Sequence, residues 1–326
     1  MKNPTDTGNT PPERPAIVDA VDREIRETKQ GKAVKGDELL NKNVEFIPTL
    51  IDPIFQKTGL VAVGGSSDVG KSTLLRQLAI AIATRQDTFL GFTLHPAHSK
   101  AMYISTEDDE FAISYLLNRY NKIADYPVSD YSNLRYIFDV TALIGEVDSQ
   151  LTAEPADIVI VDAFTDLYSG QLNEANKVRS FLNDFSQLAV KHETLFVFLH
   201  HTGKRTDNEP PSKHNLLGSQ AFEAKMRCVI ELREDKHDNT KRHLCIVKGN
   251  YLPKEDKTES YVLNFEDMLF TSTGTRTPHS DLITGTERRN LQTEAREMSA
   301  TGLSQIEISK KLGVSQPTIY RWLRSE

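Results

Sequence analysis

From Phe46 onward the chain alternates short apolar runs with stretches of helical spacing. "GLVAVGG" (59–65) is an apolar run that ends in glycines, and a helical pattern opens at Lys71. "KAMYIST" (100–106), "ADIVIVDAF" (156–164) and "TLFVFLHH" (194–201) repeat the apolar run, and "EFAISYLLNRY" and "NKVRSFLNDFSQLAVKH" (176–192) repeat the helical spacing. Continuous Val/Ile/Leu/Phe strands alternating with helices predict an α/β fold, a mainly parallel sheet covered on both faces. "RCVIELRE", "RHLCIVKGN" and "SYVLNFED" follow, separated by short polar turns, and predict antiparallel strands added to the end of that sheet. Residues 1–43 are polar and proline-rich near the start, which predicts a flexible arm. The α/β domain then spans 44–270, a Thr/Ser/Gly/Pro-rich linker 271–286, and a small all-α domain 287–326.

The chain has 326 residues and a net charge of −7, which does not advertise nucleic-acid binding. The distribution qualifies that reading, because residues 286–326 sum to +2 and the remainder to −9. A mildly basic tail on an acidic body is compatible with DNA contact by the tail. No apolar run approaches the ~18–20 residues needed to span a membrane, and the first residues hold no secretory pattern. The two cysteines, Cys228 and Cys245, lack metal-ligand spacing and suit a reducing cytoplasm.

Gly65–x4–Gly70–Lys71–Ser72 matches a phosphate-binding loop, set after a strand and opening a helix. Glycines let backbone amides approach phosphate oxygens, and the helix N-terminus adds positive potential. Residues Gly65, Ser66, Ser67, Asp68, Val69, Gly70, Lys71, Ser72 and Thr73 are expected to cradle ATP, with Lys71 on the β- and γ-phosphates and the Ser72 hydroxyl on Mg²⁺. Hydrolysis needs an acid for the metal and an acid for the attacking water. Asp162, at the end of "DIVIVD", is the Mg²⁺ candidate, because the carboxyl ends of parallel strands face the ligand crevice. Glu107, at the end of "AMYIST" in "STEDDE", is the candidate for water activation, with Asp108 its rival; a solvated acidic turn is the bland alternative. His201, with His200 beside it in "FLHHTGK", is placed to sense the γ-phosphate; a His pair could instead ligate a metal, but no third ligand is evident.

Together "GSSDVGKSTLLRQLA", "MYISTEDDE", "IVIVDAF", "FLHHTGK", "LLGSQAFEAKMRCVIELR" and "HLCIVKGNY" resemble, in order across residues 59–251, the plasmid RepA-type hexameric helicases among the RecA/DnaB-like ATPases. The resemblance implies a RecA-like fold, a catalytic glutamate at Glu107 and a sensor at His201. It also implies basic fingers acting across a subunit interface, matched by Arg242 and Lys248, with the assignment among Arg242, Arg227 and Lys248 open. A cation supplied in trans stabilises charge on the transferring phosphoryl group. Sites built between subunits imply a homo-oligomeric ring, a hexamer in that family. The loop "TGKRTDNEPPSKHNLLGSQ" would then face a channel, with Lys204, Arg205 and Lys213 contacting single-stranded DNA; a solvated loop is the alternative.

At the C-terminus, "GLSQIEISKKLGVSQPTIYRWL" has helical spacing at Ile308 and Leu312, a break at Gly313, a plug at Val314 and an N-cap at Ser315. It resembles a resolvase-type helix-turn-helix, with Ser309 where a smaller residue is usual. Gln316, Thr318, Tyr320, Arg321 and Arg324 would face outward on the second helix and read duplex DNA; a protein-docking module is the alternative. The expectation is an ATP-hydrolysing, Mg²⁺-dependent DNA helicase-like motor of plasmid or mobile-element replication. The competing readings are an ATP-switched DNA-binding regulator and a P-loop small-molecule kinase, which lacks any visible phosphoacceptor site.

Overall fold

The computed structural model describes residues 33–168, 170–172, 174–203, 206, 209–217, 220–283 and 285–324, with side chains in 285–290 left aside. Most of the expected N-terminal arm, together with Lys204 and Arg205, lies outside the described residues. The chain divides into two compact units, residues 1–47 and 48–326. In the first, the described part holds one short helix, α1 (Gly36–Leu40), with Asp37 and Glu38 in its first turn.

The second unit is built on a nine-stranded sheet. In chain order its strands are β3 (Gly59–Gly65), β6 (Ala101–Ser105), β7 (Leu134–Ile137), β8 (Ile158–Asp162), β9 (Leu195–His201), β10 (Cys228–Glu234), β11 (Lys241–Gly249), β12 (Glu259–Glu266) and β13 (Leu269–Pro278). Two small antiparallel pairs sit outside it, β1 (Thr49–Ile51) with β2 (Phe55–Gln56) and β4 (Thr88–Phe89) with β5 (Phe92–Thr93). The spatial order is β13-β12-β11-β10-β3-β9-β8-β6-β7. From β10 to β7 every pairing is parallel, and β11, β12 and β13 are antiparallel.

Successive strand residues point to opposite faces, so a continuous apolar run feeds two cores at once. Val61, Val63, Tyr103, Ile158, Ile160, Val197 and Leu199 join the first core, with helix α2 (Lys71–Ala83) and the two small pairs. Leu60, Ala62, Met102, Ile104, Val159, Val161, Phe196 and Phe198 join the second, with α4 (Leu143–Ala153), α5 (Phe164–Leu167), α6 (Ala175–Lys191) and α7 (Gln220–Lys225). Helix α3 (Glu110–Ala124) buries only Ile113 fully. It starts at Asp109, whose side chain accepts the Ala112 N–H at 2.8 Å, one of the four unpaired donors of a helix start.

Two expectations need correction. The first of the three late runs, β10, is parallel to β3, so the antiparallel extension begins one strand later. The Thr/Ser-rich stretch at 271–278 is not linker but part of β13, the outermost strand. Threonine is a good strand former, and an edge strand with one solvated face needs few apolar residues. Its Phe270 is buried in the first core.

The C-terminal helices α8 (Gly285–Ala300), α9 (Gln305–Leu312) and α10 (Gln316–Arg324) surround their own small core of Ile283, Ala295, Ile308, Leu312, Val314, Ile319 and Trp322. Ser304 and Glu307 form a reciprocal capping box at the start of α9. Gly313 ends it in left-handed backbone with φ 64°. The Ser309 hydroxyl donates to the Val314 carbonyl at 2.7 Å and so fastens the turn, which accounts for a polar residue at that place.

Candidate active site

Register places the chemistry. Gly65 of β3 lies opposite His201 of β9, and Ser105 of β6 lies opposite Asp162 of β8. The carboxyl ends of these four strands therefore form one edge, and the loop 66–70 crosses it into α2. Gly70 has φ 98°, and a Cβ there would come within 2.9 Å of the Phe270 ring, so backbone and space both demand glycine. The stacked rings of Phe265 and Phe270, 4.4 Å apart, floor the loop. Lys71 is buried and its ammonium donates to the Ser66 carbonyl at 2.7 Å, inside the loop.

Asp162 is buried, and its Oδ2 accepts from the Tyr103 hydroxyl. Burial raises its pKa, opposed by the Tyr103 and Ser72 hydroxyls. Its Oδ1 is enclosed without a hydrogen-bond partner. An orphaned carboxylate oxygen beside a serine hydroxyl is a hard-oxygen donor set that suits Mg²⁺, which normally takes one or two carboxylates plus substrate phosphates. The residues present therefore fit the ion.

Thr106 staples the two strand ends. Its one hydroxyl proton lies between the Asp162 carbonyl, 2.9 Å from the oxygen, and Asp166 Oδ2, 2.8 Å from it, and the oxygen accepts the Ala163 N–H at 3.0 Å. The next residue, Glu107, is thereby held facing the same edge. Its pKa is raised by partial burial and by the charges of Asp162, Asp166 and Asp108, with Lys71 opposing. A carboxylate lifted in this way is a better proton acceptor than a free one. Its rival is engaged elsewhere: Asp108 pairs with Arg76 of α2 at 3.3 Å.

His201 feels Lys71, Asp166 and Asp162, and burial with the Lys71 charge lowers its pKa. His200 is fully buried against Phe164 and Phe222, with ring centroids 5.5 and 4.5 Å away, and its Nδ1 shares a hydrogen bond with the His201 carbonyl at 2.9 Å. Among the described residues no group of three or more His, Cys, Asp or Glu forms a metal cage. The chain turns back after His201, and the Leu217 N–H donates to the His201 carbonyl at 2.9 Å.

The structure thus brings together Lys71, Ser72, Asp162, Glu107 and His201. Arg242 and Lys248 are both engaged within the chain itself. Arg242 is buried; it donates to the carbonyls of Val69 at 3.2 Å, Asn239 at 2.7 Å and Lys241 at 2.8 Å, pairs with Glu234 at 3.4 Å and lies 4.8 Å from the Phe265 ring centroid. It braces the phosphate loop of its own chain. Lys248 donates to the Glu223 carbonyl at 2.7 Å and pairs with the Glu223 carboxylate at 3.1 Å. Lys213 reaches the same carboxylate at 3.2 Å while staying partly exposed. In the C-terminal helices Gln316, Tyr320, Arg321 and Arg324 are exposed, but Thr318 is buried, its hydroxyl bonded to Ser315 at 2.8 Å and Arg321 at 3.1 Å. It is turned in against Ser315 at the start of α10 rather than facing outward.

Sequence patterns do not single out Tyr103, Thr106 or Arg76. Each acts through a partner about 30 to 60 positions away in the chain, and only the register joins them.

Fold and site together define a P-loop nucleotide-binding protein with a RecA-like core. The chain belongs to the AAA-domain family, whose model matches residues 14–207, more than half its length. No curated protein sequence matches it. Among 419 matching solved chains is an ATPase domain at 13% identity and a TM-score of 0.51, covering 79% of this chain and 97% of that one. At that identity the likeness concerns the fold. Among the described residues no helix is long and apolar enough to cross a membrane.

Proposed function

We propose that the chain is an ATP-hydrolysing, Mg²⁺-dependent DNA helicase-like motor of plasmid or mobile-element replication, with its C-terminal helices acting as a helix-turn-helix on duplex DNA. The observation that carries this reading is the convergence of Lys71, Ser72, Asp162, Glu107 and His201 on one sheet edge. Lys71 and the loop amides hold the phosphates, and Glu107 accepts a proton from the attacking water. Ser72 and Asp162 would hold Mg²⁺, which when bound neutralises phosphate charge. His201, joined through its carbonyl to Leu217, links the phosphate end of the site to the segment carrying Lys213. The ring, a hexamer by the family resemblance, and a cytoplasmic location belong to the same reading. The deciding experiment is steady-state ATP hydrolysis and strand unwinding with an unstructured single strand. A Lys71→Ala chain binds duplex DNA but neither hydrolyses ATP nor unwinds; residual unwinding by that variant sinks the motor.

One observation favours a second reading, an ATP-switched DNA-binding regulator without unwinding. Two of the three candidate trans-acting cations, Arg242 and Lys248, are engaged within their own chain. Slow ATP turnover, indifferent to single strands and coupled to assembly on duplex DNA, selects this reading.

A further inference from the structure

A cleft of about 610 Å³ separates the α9–α10 turn from the ATPase body. Its body wall comes from residues 210–214, 247, 254, 257–259 and 278–280, and its other wall from residues 309–310 and 313–315 and the start of α10. Lys254 and Lys257 line one side, with Lys213 beside them already paired with Glu223 at 3.2 Å, and Lys310 and Arg321 line the other. Among the described lining residues the one carboxylate is Glu259, and it pairs with Arg276 at 3.5 Å. The Lys257 ammonium donates to two neutral carbonyls, Gly249 and Leu252, at 3.2 and 3.0 Å, so its charge is fixed in place but not cancelled. Lys254 and Lys310 are exposed. On a chain of net charge −7 such a concentration of positive charge is an exception, and low-dielectric walls focus its field on whatever enters.

The cleft also bears on the face of α10. Arg321 lines it from α10 with the buried Thr318 behind it, so the start of this helix shares its space with the ATPase. The volume suits a drug-sized segment rather than a double helix. Among the described residues the lining includes no Phe, Tyr or Trp, so a ligand would be held by its charge rather than by stacking.

We infer that this cleft grips the phosphodiester backbone of a single nucleic-acid strand, clamped between the ATPase body and the C-terminal helices. The inference rests on the reading of the chain as a DNA-acting ATPase and adds a second contact, separate from the phosphate loop and from the exposed face of α10. Binding there is indifferent to base sequence and strongly salt-dependent.

The test uses the full chain and a fluorescein-labelled oligothymidylate in anisotropy titrations across a salt series. A K254A/K310A double variant is expected to bind about tenfold more weakly, and the slope of log K against log salt to shrink by about 1.4, at roughly 0.7 per lost phosphate contact on a single strand. Its melting temperature and its ATP hydrolysis without DNA stay at wild-type values, since neither lysine touches the phosphate loop. Oligouridylate in place of oligothymidylate gives the same loss, because the lining recognises the backbone. An R324A chain, altered on the exposed face of α10, loses duplex affinity and keeps its oligothymidylate affinity. Wild-type affinity and slope in the double variant overturn the clamp and leave the DNA-motor reading standing, as does a loss confined to duplex DNA. A wild-type chain that binds no strand overturns both.

Discussion

Replacing Arg242 with alanine separates a brace within the chain from a finger between chains. The guanidinium satisfies the Val69, Asn239 and Lys241 carbonyls and covers Phe265. Glu234, its ion-pair partner, is 56% exposed and regains water when the arginine is lost, so that pair contributes little. The Val69 carbonyl does not regain water so readily, because its donor, the Arg242 side chain, is 7% exposed. Stranding a buried acceptor costs about 1–3 kcal/mol, and losing the ring contact about 0.5–1 kcal/mol more. The expected destabilisation is about 3 kcal/mol, which lowers the melting temperature by about 4 °C in a chain of this size. Nucleotide affinity falls with it even at concentrations where the chain is monomeric, because the brace acts on the loop of its own subunit. Differential scanning fluorimetry and nucleotide titration read the two effects. An unchanged melting temperature and monomer affinity, with turnover lost only in assemblies, refutes the brace and restores the finger.

Glu107→Gln should lower kcat by about 10²–10⁴ with nucleotide affinity retained, as steady-state and equilibrium binding measurements will show; a loss of affinity with kcat unchanged contradicts the assigned role. Tyr103→Phe removes a donor that holds the Asp162 pKa down, so the acid limb of the pH–activity profile moves upward; an unmoved limb removes Tyr103 from the positioning of that carboxylate. Burial holds the His200 pKa down to about 4, against an ordinary value near 6.5, so between these values the unfolded chain binds a proton that the folded chain does not. Stability therefore falls as pH drops through that window, by up to about 3 kcal/mol from this group. His279, also held down to about 4, adds a loss of the same sign, and H200L removes only the first share; denaturant titrations at pH 7 and 4.5 measure it.

The parts of the site that announce themselves in sequence are those whose chemistry is local. A glycine-spaced loop between an apolar run and a helix, and an aspartate closing "IVIVD", can be read without the fold, because strand ends and helix starts impose them. β7 and α4 carry no such signal: "LRYI" is only half-buried, and α4 starts without a side-chain cap. β13 passes for linker because an edge strand hides its one buried ring, Phe270, among threonines. Arg242 enters as a finger through the resemblance, and its bond to Val69, 173 positions away, leaves no local trace, because a charged turn looks the same whether its arginine points out or in. Thr318 departs from the outward face for a helical reason: at the third position of α10 its hydroxyl has Ser315 within reach, and it turns inward to meet it.

The bond between Gln77 and Phe270 sets a schedule for biosynthesis. Gln77 of α2 donates to the Phe270 carbonyl at 2.8 Å and accepts its N–H at 2.9 Å, across 193 positions of chain. At ~5–20 residues per second, roughly 10–40 s pass between the two residues leaving the ribosome. For most of that interval β3 waits for β10, its neighbour on one side, and to its end the loop above it waits for its aromatic floor. The phosphate loop is thus made well before the contacts that complete the pocket around it. A nascent chain stalled before Phe270 has a finished phosphate-loop sequence and no finished phosphate loop.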